Sequence, residues 1–530
     1  MKMIMEEADK KMSPNRRIFL NIVATYGRSV YSLIIGLFTA RWVLMTLGNS
    51  DYGVYGVVGG LTAFIAFING IMGVSVGRYY AYAVGRAKIS GLEEQGLEEC
   101  RQWFNTAVVF HTLLPLALMA IGYPIGEWAI RSFLVIPPDR IEKFVWIFRF
   151  TCVNCFWGMI SVPFNAMYTA KQYIAELTVY SFVATTMNFV FLWYMVNHPG
   201  DWLIRYGFWN CLLGFVPAVI ITIRAYFIFS ECRFNIRYMC SFSHIKELSG
   251  YAGWYAFGMT GNLFRYQCLP ILVNKYFGPI QNTAVAIANS VASHTTTLSG
   301  SLVGAFSPAI TNALGAGDIS RATRLLHMTC KFGALLVLPF CIPLSIEASE
   351  IMRLWLKNPP EASPLLAIGI MVSLVLEKIT TGHWVAISGN GKMALYQFLI
   401  GLNFMLSVPI CWGMFACGTS VYAVAYSLTS VMVGAIVIRV CLLKHYLNVS
   451  PRYWIRRVFV PIALSTCATV AIGVLPRFFL APSFFRVVLT TIVSECVLIP
   501  LVWFLVLDPE ERVYIFGKLS HIFPRLKKGL

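Results

Sequence analysis

The sequence predicts an all-α polytopic membrane protein of about fourteen transmembrane helices, arranged as two pseudo-symmetric six-helix bundles plus two C-terminal helices. Three observations predict it. Of the 530 residues, 58% are hydrophobic and only 12% are charged, too few polar groups to cover a water-soluble surface of that size. The apolar residues gather into runs of about 20, the length that crosses a bilayer as a helix. The runs lack the alternating pattern of about ten residues that a transmembrane barrel requires, which leaves helices. The same composition excludes intrinsic disorder, a nucleic-acid-binding module and most soluble enzymes.

Proline, glycine and charge clusters set the limits of each span. The head, MKMIMEEADKKMSPNRR, meets the first apolar run without a small-residue cleavage site. It therefore reads as a retained first span in a mature chain that includes residue 1, with no removable signal peptide. The first two spans are 19–44 and 53–77. Glu93, Glu94, Glu98 and Glu99 with Arg86, Lys88 and Arg101 read as a solvated cytosolic helix ahead of the third, 103–125. The fourth to sixth are 142–165, 173–196 and 204–230, after which the short basic loop SECRFNIRYMCSFSHIKELSG links the halves. The second set of six runs 251–275, 283–310, 329–347, 363–385, 395–416 and 421–443, and two more follow near 458–476 and 485–507. The resulting organisation is an N-terminal six-helix bundle (1–230), a cytosolic linker (231–250), a C-terminal six-helix bundle (251–443) and a segment with two further helices and a basic cytosolic tail (444–530).

The 42 Lys and Arg against 24 Asp and Glu make a net charge of +18. With both termini cytosolic and the spans alternating, most basic residues fall on the cytosolic side, so topology accounts for the excess without a nucleic-acid partner. The 14 cysteines lie mostly inside apolar segments as small hydrophobes, and Cys152 and Cys155 sit in mid-span without a second pair to complete a metal site.

An internal repeat supports the two halves. Leu47-Gly48 before the second span matches Phe277-Gly278 before the eighth, and YYAYAVGRAK (79–88) aligns with AITNALGAGD (309–318), Gly85 on Gly315. Both pairs are displaced by about 230 residues. FLVIPPDR (133–140) resembles LWLKNPPE (354–361), and the segment from Ala166 to Lys171 resembles that from Ala386 to Lys392, bracketing the fourth and tenth spans. Six spans is an even number, so the repeats are parallel.

No Walker A sequence or HExxH occurs, and Gly389-Asn-Gly-Lys392 lacks the phosphate-loop spacing. The informative residues are ionisable groups deep in spans, where a charge costs several kcal/mol unless it faces water or a partner. Arg28 and Arg265 stand out. Asn21, Thr25, Arg28, Ser32 and Thr39 form one polar stripe on the first span, and Gly258, Asn262 and Arg265 share a face of the seventh ahead of Pro270. Under the repeat offset Arg265 aligns with Ile35, two helical turns from Arg28. The eighth span adds Asn289, Ser293, His294, Thr296 and Ser299, and the second adds Thr62, Asn69 and Ser75. Spans 1, 2, 7 and 8 are therefore expected to line a cationic, water-accessible cavity, although each small polar residue taken singly also fits helix packing. Lys378, beside Glu377, serves that cavity or pairs with Glu495 or another acid. Arg149, Arg224 and Lys331 read as snorkelling cations, Glu176 as lying too near the membrane edge to be buried, and His111 and His383 as packed polar groups.

The start of the chain, RRIFLNIVATYGRSVYSLIIGLFTARWVLMTLGNSDYGVYGVVGGLTAFI, combines a basic beginning, the polar stripe and an LG-x-x-DYG-x-Y turn. With the repeated halves, it resembles the polysaccharide-export flippases of the MATE-like multidrug/oligosaccharidyl-lipid/polysaccharide exporter superfamily, the Wzx-type transporters of O-antigen and capsule pathways. The resemblance extends over nearly the whole chain. It implies a V-shaped pair of bundles in a bacterial inner membrane, a transporter and not an enzyme. It also implies movement of an undecaprenyl-pyrophosphate-linked oligosaccharide repeat unit from the cytosolic to the outer leaflet by alternating access. Polysaccharide polymerase and chain-length proteins of lipopolysaccharide assembly are the implied partners, and no cofactor is called for. A lipid diphosphate is an anion, and arginine meets phosphate oxygens with a planar, permanently charged fork. Arg28, Arg265 and Lys378 are thus the expected diphosphate ligands, with Tyr26, Trp254 and Tyr255 as stacking surfaces for sugar.

Three alternatives stay open. A multidrug exporter of the same superfamily needs carboxylates in the cavity, and spans 1, 2, 7 and 8 contain none. A flippase of lipid-linked peptidoglycan precursor shares the span count and cavity sign. A membrane-embedded glycan polymerase or ligase calls for long outer loops, whereas those here are only about 10 to 20 residues. No sequence feature distinguishes H+ from Na+ as a coupling ion.

Overall fold

The computed structural model describes residues 27–28, 31–32, 34–60, 76, 80, 93–171, 173–235, 238, 257–315, 317–356, 358–390 and 393–513. The described residues contain no strand. Among them, eight helices are long and apolar enough to cross a membrane, and two bent helix pairs bring the total to ten. In chain order the helical elements are α1 (34–60, interrupted at Gly48), α2 (Leu97–Phe133), α3 (Pro138–Ile160 with Val162–Ala170), α4 (Ala175–Asn197), α5 (Leu203–Ile228) and α6 (257–315, two helices that meet at a kink at Gly278). They continue as α7 (Ile319–Ile346), α8 (Ser363–Lys378 with Thr381–Gly389), α9 (Met393–Ala416), α10 (Ala423–Leu447), α11 (Pro451–Phe479) and α12 (Phe484–Val506). The ten spans fall on the third to sixth and ninth to fourteenth of the sequence reading. Parts of the other four fall on α1 and α6. Several helices outrun their expected limits, α7 by starting at Ile319, because a hydropathy window trims the charged turns that carry a helix beyond the apolar layer. The protein is multi-pass, and its outward side chains fit lipid: Ile121, Phe227, Phe478, Phe479 and Phe504 are each more than 65% exposed.

The chain divides into two compact units, Met1–Ala286 and Ile287–Leu530. In the first, α3 packs along α5, where Gly207 lets the helices close up: a Cβ there would sit 2.8 Å from Cγ1 of Ile147. The core beneath is Val54, Val57, Val58, Ile130, Phe144 and Phe148. A second core joins Phe104, Phe164, Met167, Ala225 and Phe229.

The fourth and tenth predicted spans, α3 and α8, are both broken, by 44° and 43°. In α3 the break is set by Pro163 in the first turn of the second segment, while Ser161 Oγ donates to the Gly158 carbonyl at 2.8 Å. α8 has no proline at its break. There Thr380 and Thr381 donate their hydroxyls to the Glu377 carbonyl at 3.2 and 3.4 Å, competing with the helical ladder. Gly382 then lies so close to α7 that a Cβ would stand 2.0 Å from the Leu326 carbonyl oxygen. The shared bend at corresponding places extends the sequence repeat to backbone geometry, with different chemistry in each half.

In the second unit α11 and α12 dock on α7 through Leu338, Ile342, Ile346, Trp454, Val458, Ile462 and Leu498. Ion pairs fasten the middle of α7 and the residue that follows it to the α12 region. Lys331 Nζ lies 2.5 Å from Asp508 Oδ2 and 3.0 Å from Glu511 Oε2, and Arg486 Nη2 lies 2.7 Å from Glu347 Oε2. Lys331 therefore does not snorkel: it is 1% exposed and paired. Arg224 likewise pairs with Glu176, whose carboxylate also accepts from Tyr180 at 2.8 Å, so that glutamate is engaged and largely covered.

Candidate functional site

The sequence-predicted residues separate into three groups. Asn21, Thr25 and Asn69 lie outside the described residues, as do Tyr26, Thr62, Ser75, Gly85, Trp254 and Tyr255, most of the linker 231–250 and the basic tail from 514; the side chain of His294 does too. Arg28, Ser32 and Arg265, with Asn262, belong to the first unit, and Asn289, Ser293, Thr296 and Lys378 to the second.

Arg28 is half-buried and points its Nη1 at Ser181 Oγ on α4, 3.5 Å away. One turn on, Tyr31 shares a 2.8 Å hydrogen bond with Thr186 Oγ1 and stacks on Phe182, ring centroids 4.2 Å apart. Ser32 is half-buried, and Thr39 donates to the Gly36 carbonyl at 3.1 Å. The stripe of the first span thus meets hydroxyls of the fifth, a partner the sequence reading did not name. Ser181, Thr185 and Thr186 recur at helical spacing along α4, a signal available in the sequence.

Arg265 is 5% exposed and sits in a π-helical turn, Phe264–Cys268, immediately before Pro270. The wider turn follows from that proline, whose missing N–H and bulky ring disturb the preceding ladder. Its guanidinium carbon lies 4.9 Å above the Tyr266 ring, a cation–π contact that steadies the charge. Asn262, half-buried, approaches the Met259 sulfur at 3.5 Å. Lower on α6, Thr296 returns its hydroxyl to the Ala292 carbonyl at 2.8 Å, the local bond of a packing residue; Asn289 is half-buried and Ser293 exposed.

Lys378 is 6% exposed at the α8 break. Its neighbour across the bundle is Gly333 of α7: a Cβ on that glycine would lie 4.0 Å from the lysine Cβ. The same break holds a cation the sequence reading missed. Arg439 of α10, 7% exposed, donates to Thr380 Oγ1 at 2.8 Å and to Tyr396 Oη at 3.3 Å. His383 is buried with Nδ1 3.3 Å from Cys330 Sγ, and buried His111 bonds the Ala107 carbonyl at 2.7 Å; both are packed polar groups. Arg149, its side chain 38% exposed, is held by Tyr123 Oη at 3.0 Å and Glu127 at 3.8 Å and lies over the Trp146 ring.

The LG-x-x-DYG turn is a structural hub. Asp51, 7% exposed, lies 3.6 Å from Arg140, which also pairs with Asp201 at 2.6 Å, and Lys143 joins the same carboxylate. Burial pushes the Asp51 carboxyl above its ordinary range against the pull of Arg140. For Asp201 burial is outweighed by Lys143, the Leu203 N–H and Arg140, and its pKa is lowered. Among the described residues no group of three His, Cys, Asp or Glu is placed to hold a metal ion.

Residues 256–412 match the MatE family. No curated protein matches the chain. Among solved structures, the lipid II flippase MurJ in an inward closed conformation superposes with a TM-score of 0.65 at 11% identity, covering 91% of this chain and 98% of that one. An inward-facing multidrug resistance MATE family transporter of the MOP superfamily follows with 0.61 at 13%, covering 80% and 96%. A MOP superfamily transporter from Pyrococcus furiosus, described as having a binding pocket of reverse polarity, matches with 0.51 at 13%, covering 80% and 96%. The chain carries a MatE match over its middle and has the fold seen in MurJ and the MATE transporters.

Proposed function

We propose that this protein is a flippase for a lipid-linked anionic glycan, of the undecaprenyl-pyrophosphate oligosaccharide class, working by alternating access in a bacterial inner membrane with both termini cytosolic. The observation that carries the reading is Arg265, a guanidinium 5% exposed inside a bent apolar helix. A charge that costly persists in a span when it serves a ligand or a path. Arg28, Arg265 and Lys378 bind the diphosphate, and the polar residues of spans 1, 2, 7 and 8 accept the sugar. The arginine fork suits phosphate oxygens, and the absence of carboxylates from those spans disfavours cationic drugs. The likeness to a lipid II flippase supports a lipid-linked cargo, and the Pyrococcus transporter supports pocket polarity as a variable of this fold. A peptidoglycan-precursor flippase is the second reading, favoured by the same likeness and separable by head group. Polymerase and chain-length proteins are the proposed partners. To drive the cycle the diphosphate must be held more tightly in one state than in the other.

The test is leaflet transfer of a fluorescent undecaprenyl-diphosphate oligosaccharide in proteoliposomes, comparing the native protein with Arg28→Ala and Arg265→Ala after each is shown to be folded. Transfer by the native protein and its loss in both variants is the expected result. Undiminished transfer in both variants removes these arginines from the mechanism, and a native protein that lengthens the glycan without moving it replaces the flippase with an enzyme.

A further inference from the structure

The inner face of α4, in the first unit, is closed at both ends and open in the middle. Residues three and four apart share a helix face, so Thr178, Ser181, Thr185, Asn188, Leu192 and Met195 form one stripe. The opposite face carries Val179, Val183, Val190 and Trp193, all exposed, as side chains against lipid are. The stripe therefore points into the unit, and Thr178 at one end and Leu192 and Met195 at the other are buried there. Between them Ser181, Thr185 and Asn188 are only half-buried. Those three span two helical turns, and they border a recess inside the unit.

The groups around this recess are polar and under-used. Arg28 reaches it from the first span, with Nη1 3.5 Å from Ser181 Oγ and, among the described residues, no carboxylate partner. Ser181 and Thr185 give their own hydrogens to the carbonyls of Leu177 and Ser181, at 3.1 and 2.9 Å. Each hydroxyl oxygen is thereby left as an acceptor. Asn188 Oδ1 is covered and has no hydrogen-bond partner among the described residues. One turn further along α4, Phe191 stacks on Trp209 of α5 with ring centroids 4.6 Å apart, and the Trp209 Nε1 is covered and unpartnered as well. A bare acceptor and a bare donor are costly in an apolar layer. A hydroxyl group donates and accepts at once, so one ligand class answers both needs.

We propose that this recess recognises the first sugar of the cargo, Thr185, Asn188 and Trp209 bonding its ring hydroxyls while Arg28 holds the adjoining phosphate. The proposal rests on the flippase reading above and adds to it the residues that select the glycan. Arg28 stands at the level of Ser181, and Asn188 lies seven residues on, about 10 Å along the helix, within reach of a sugar joined to that phosphate. The two ends of the site differ in what they read. A guanidinium meets any phosphate, whereas a sugar without the matching hydroxyl leaves the Asn188 amide and the Trp209 indole unpaired, and such a site rejects it.

The experiment titrates the full chain in maltoside micelles, by calorimetry, with undecaprenyl diphosphate bare and carrying glucose, galactose or N-acetylglucosamine. The native protein is expected to bind at least one sugar-bearing lipid about tenfold more tightly than the bare one, the scale of one or two hydrogen bonds. Asn188→Leu is expected to lower that ratio about tenfold, and Thr185→Val and Trp209→Phe about threefold each. Arg28→Gln is expected to weaken every lipid and to keep the ratio. Should Asn188→Leu fail to fold, the other two recess variants decide. A native protein that binds the bare lipid without preferring any sugar, or folded recess variants that all keep the native ratio, overturns the proposal and leaves the flippase standing. A native protein that binds none of the four lipids overturns both.

Discussion

Asn282 Nδ2 donates to the carbonyl oxygen of Gly53 at 2.8 Å, joining the two turns that the sequence repeat aligns. Gly48 and Gly278, matched by that repeat, both adopt left-handed backbone, at φ 76° and 78°. Only a residue without a Cβ enters that region freely, so the matched glycines have a conformational cause. Thr283 adds a bond to the Asn49 carbonyl, and Asn274 exchanges two with the Val135 backbone, at 2.8 and 3.3 Å.

Gly53 has no room to grow. A Cβ there would stand 2.2 Å from the Pro279 carbonyl oxygen, whereas one on exposed Gly59 meets nothing within 4 Å. Gly53→Val is expected to destabilise by about 1–3 kcal/mol through overpacking. Gly59→Ala is expected to be neutral or slightly stabilising. Thermal unfolding midpoints of the purified proteins check the contrast.

The Asp201 hub makes stability depend on acid. Its pKa is lowered in the folded protein, by Lys143, the Leu203 N–H and Arg140 acting against burial. The stabilisation is therefore present above the unfolded carboxylate pKa and lost as pH falls through the folded value. Asp201→Asn is expected to lower the midpoint at neutral pH and to flatten its decline in acid. An equal decline in both proteins would assign the acid sensitivity elsewhere.

Buried ion pairs hold α7 at its middle and just past its end, and stranding one partner is more harmful than removing both. Lys331→Met leaves Glu511 without its cation and Asp508 with Arg457 alone, and Glu347→Leu strands Arg486, 7% exposed; each is expected to cost about 3–5 kcal/mol. Glu347→Leu with Arg486→Met is expected to recover most of the loss. Thermal unfolding of the single and paired variants measures the coupling.

The α8 bend depends on Thr380, whose hydroxyl accepts from Arg439 at 2.8 Å. Thr380→Val removes the acceptor and is expected to cost about 1–3 kcal/mol, while Thr380→Ser retains it and is expected to stay near native. Hydrogen exchange over 374–386 should speed up in the valine variant alone.

Much of this was legible without coordinates. The apolar runs located α2 to α5 and α7 to α12 in order, since lipid demands a continuous apolar stretch. Gly48 and Gly278 marked the repeat because a left-handed turn restricts the residue type. The burial of Arg265 followed from its place in mid-span. Its π-turn was not legible, nor was Arg439, a lone cation near the end of a long apolar run. The two clamps were hidden for another reason: Lys331 and Glu511 lie 180 positions apart, and Glu347 and Arg486 lie 139 apart. Lys331 read as a snorkelling lysine because a hydropathy profile contains depth but no neighbours.

The sequence by itself determined that this is an all-helical membrane protein, the order of its spans, its internal repeat and the lack of carboxylates in spans 1, 2, 7 and 8. Each follows from how single residues partition between lipid and water. Only the tertiary structure decided which charge meets which: Arg28 at Ser181, Arg439 at Thr380, Arg486 at Glu347, Asp51 at Arg140. Lipid tails are as apolar as leucine, so hydropathy favours no helix pairing over another. Close packing at glycines and the need to satisfy buried polar groups make that choice, and both arise only when the helices are side by side.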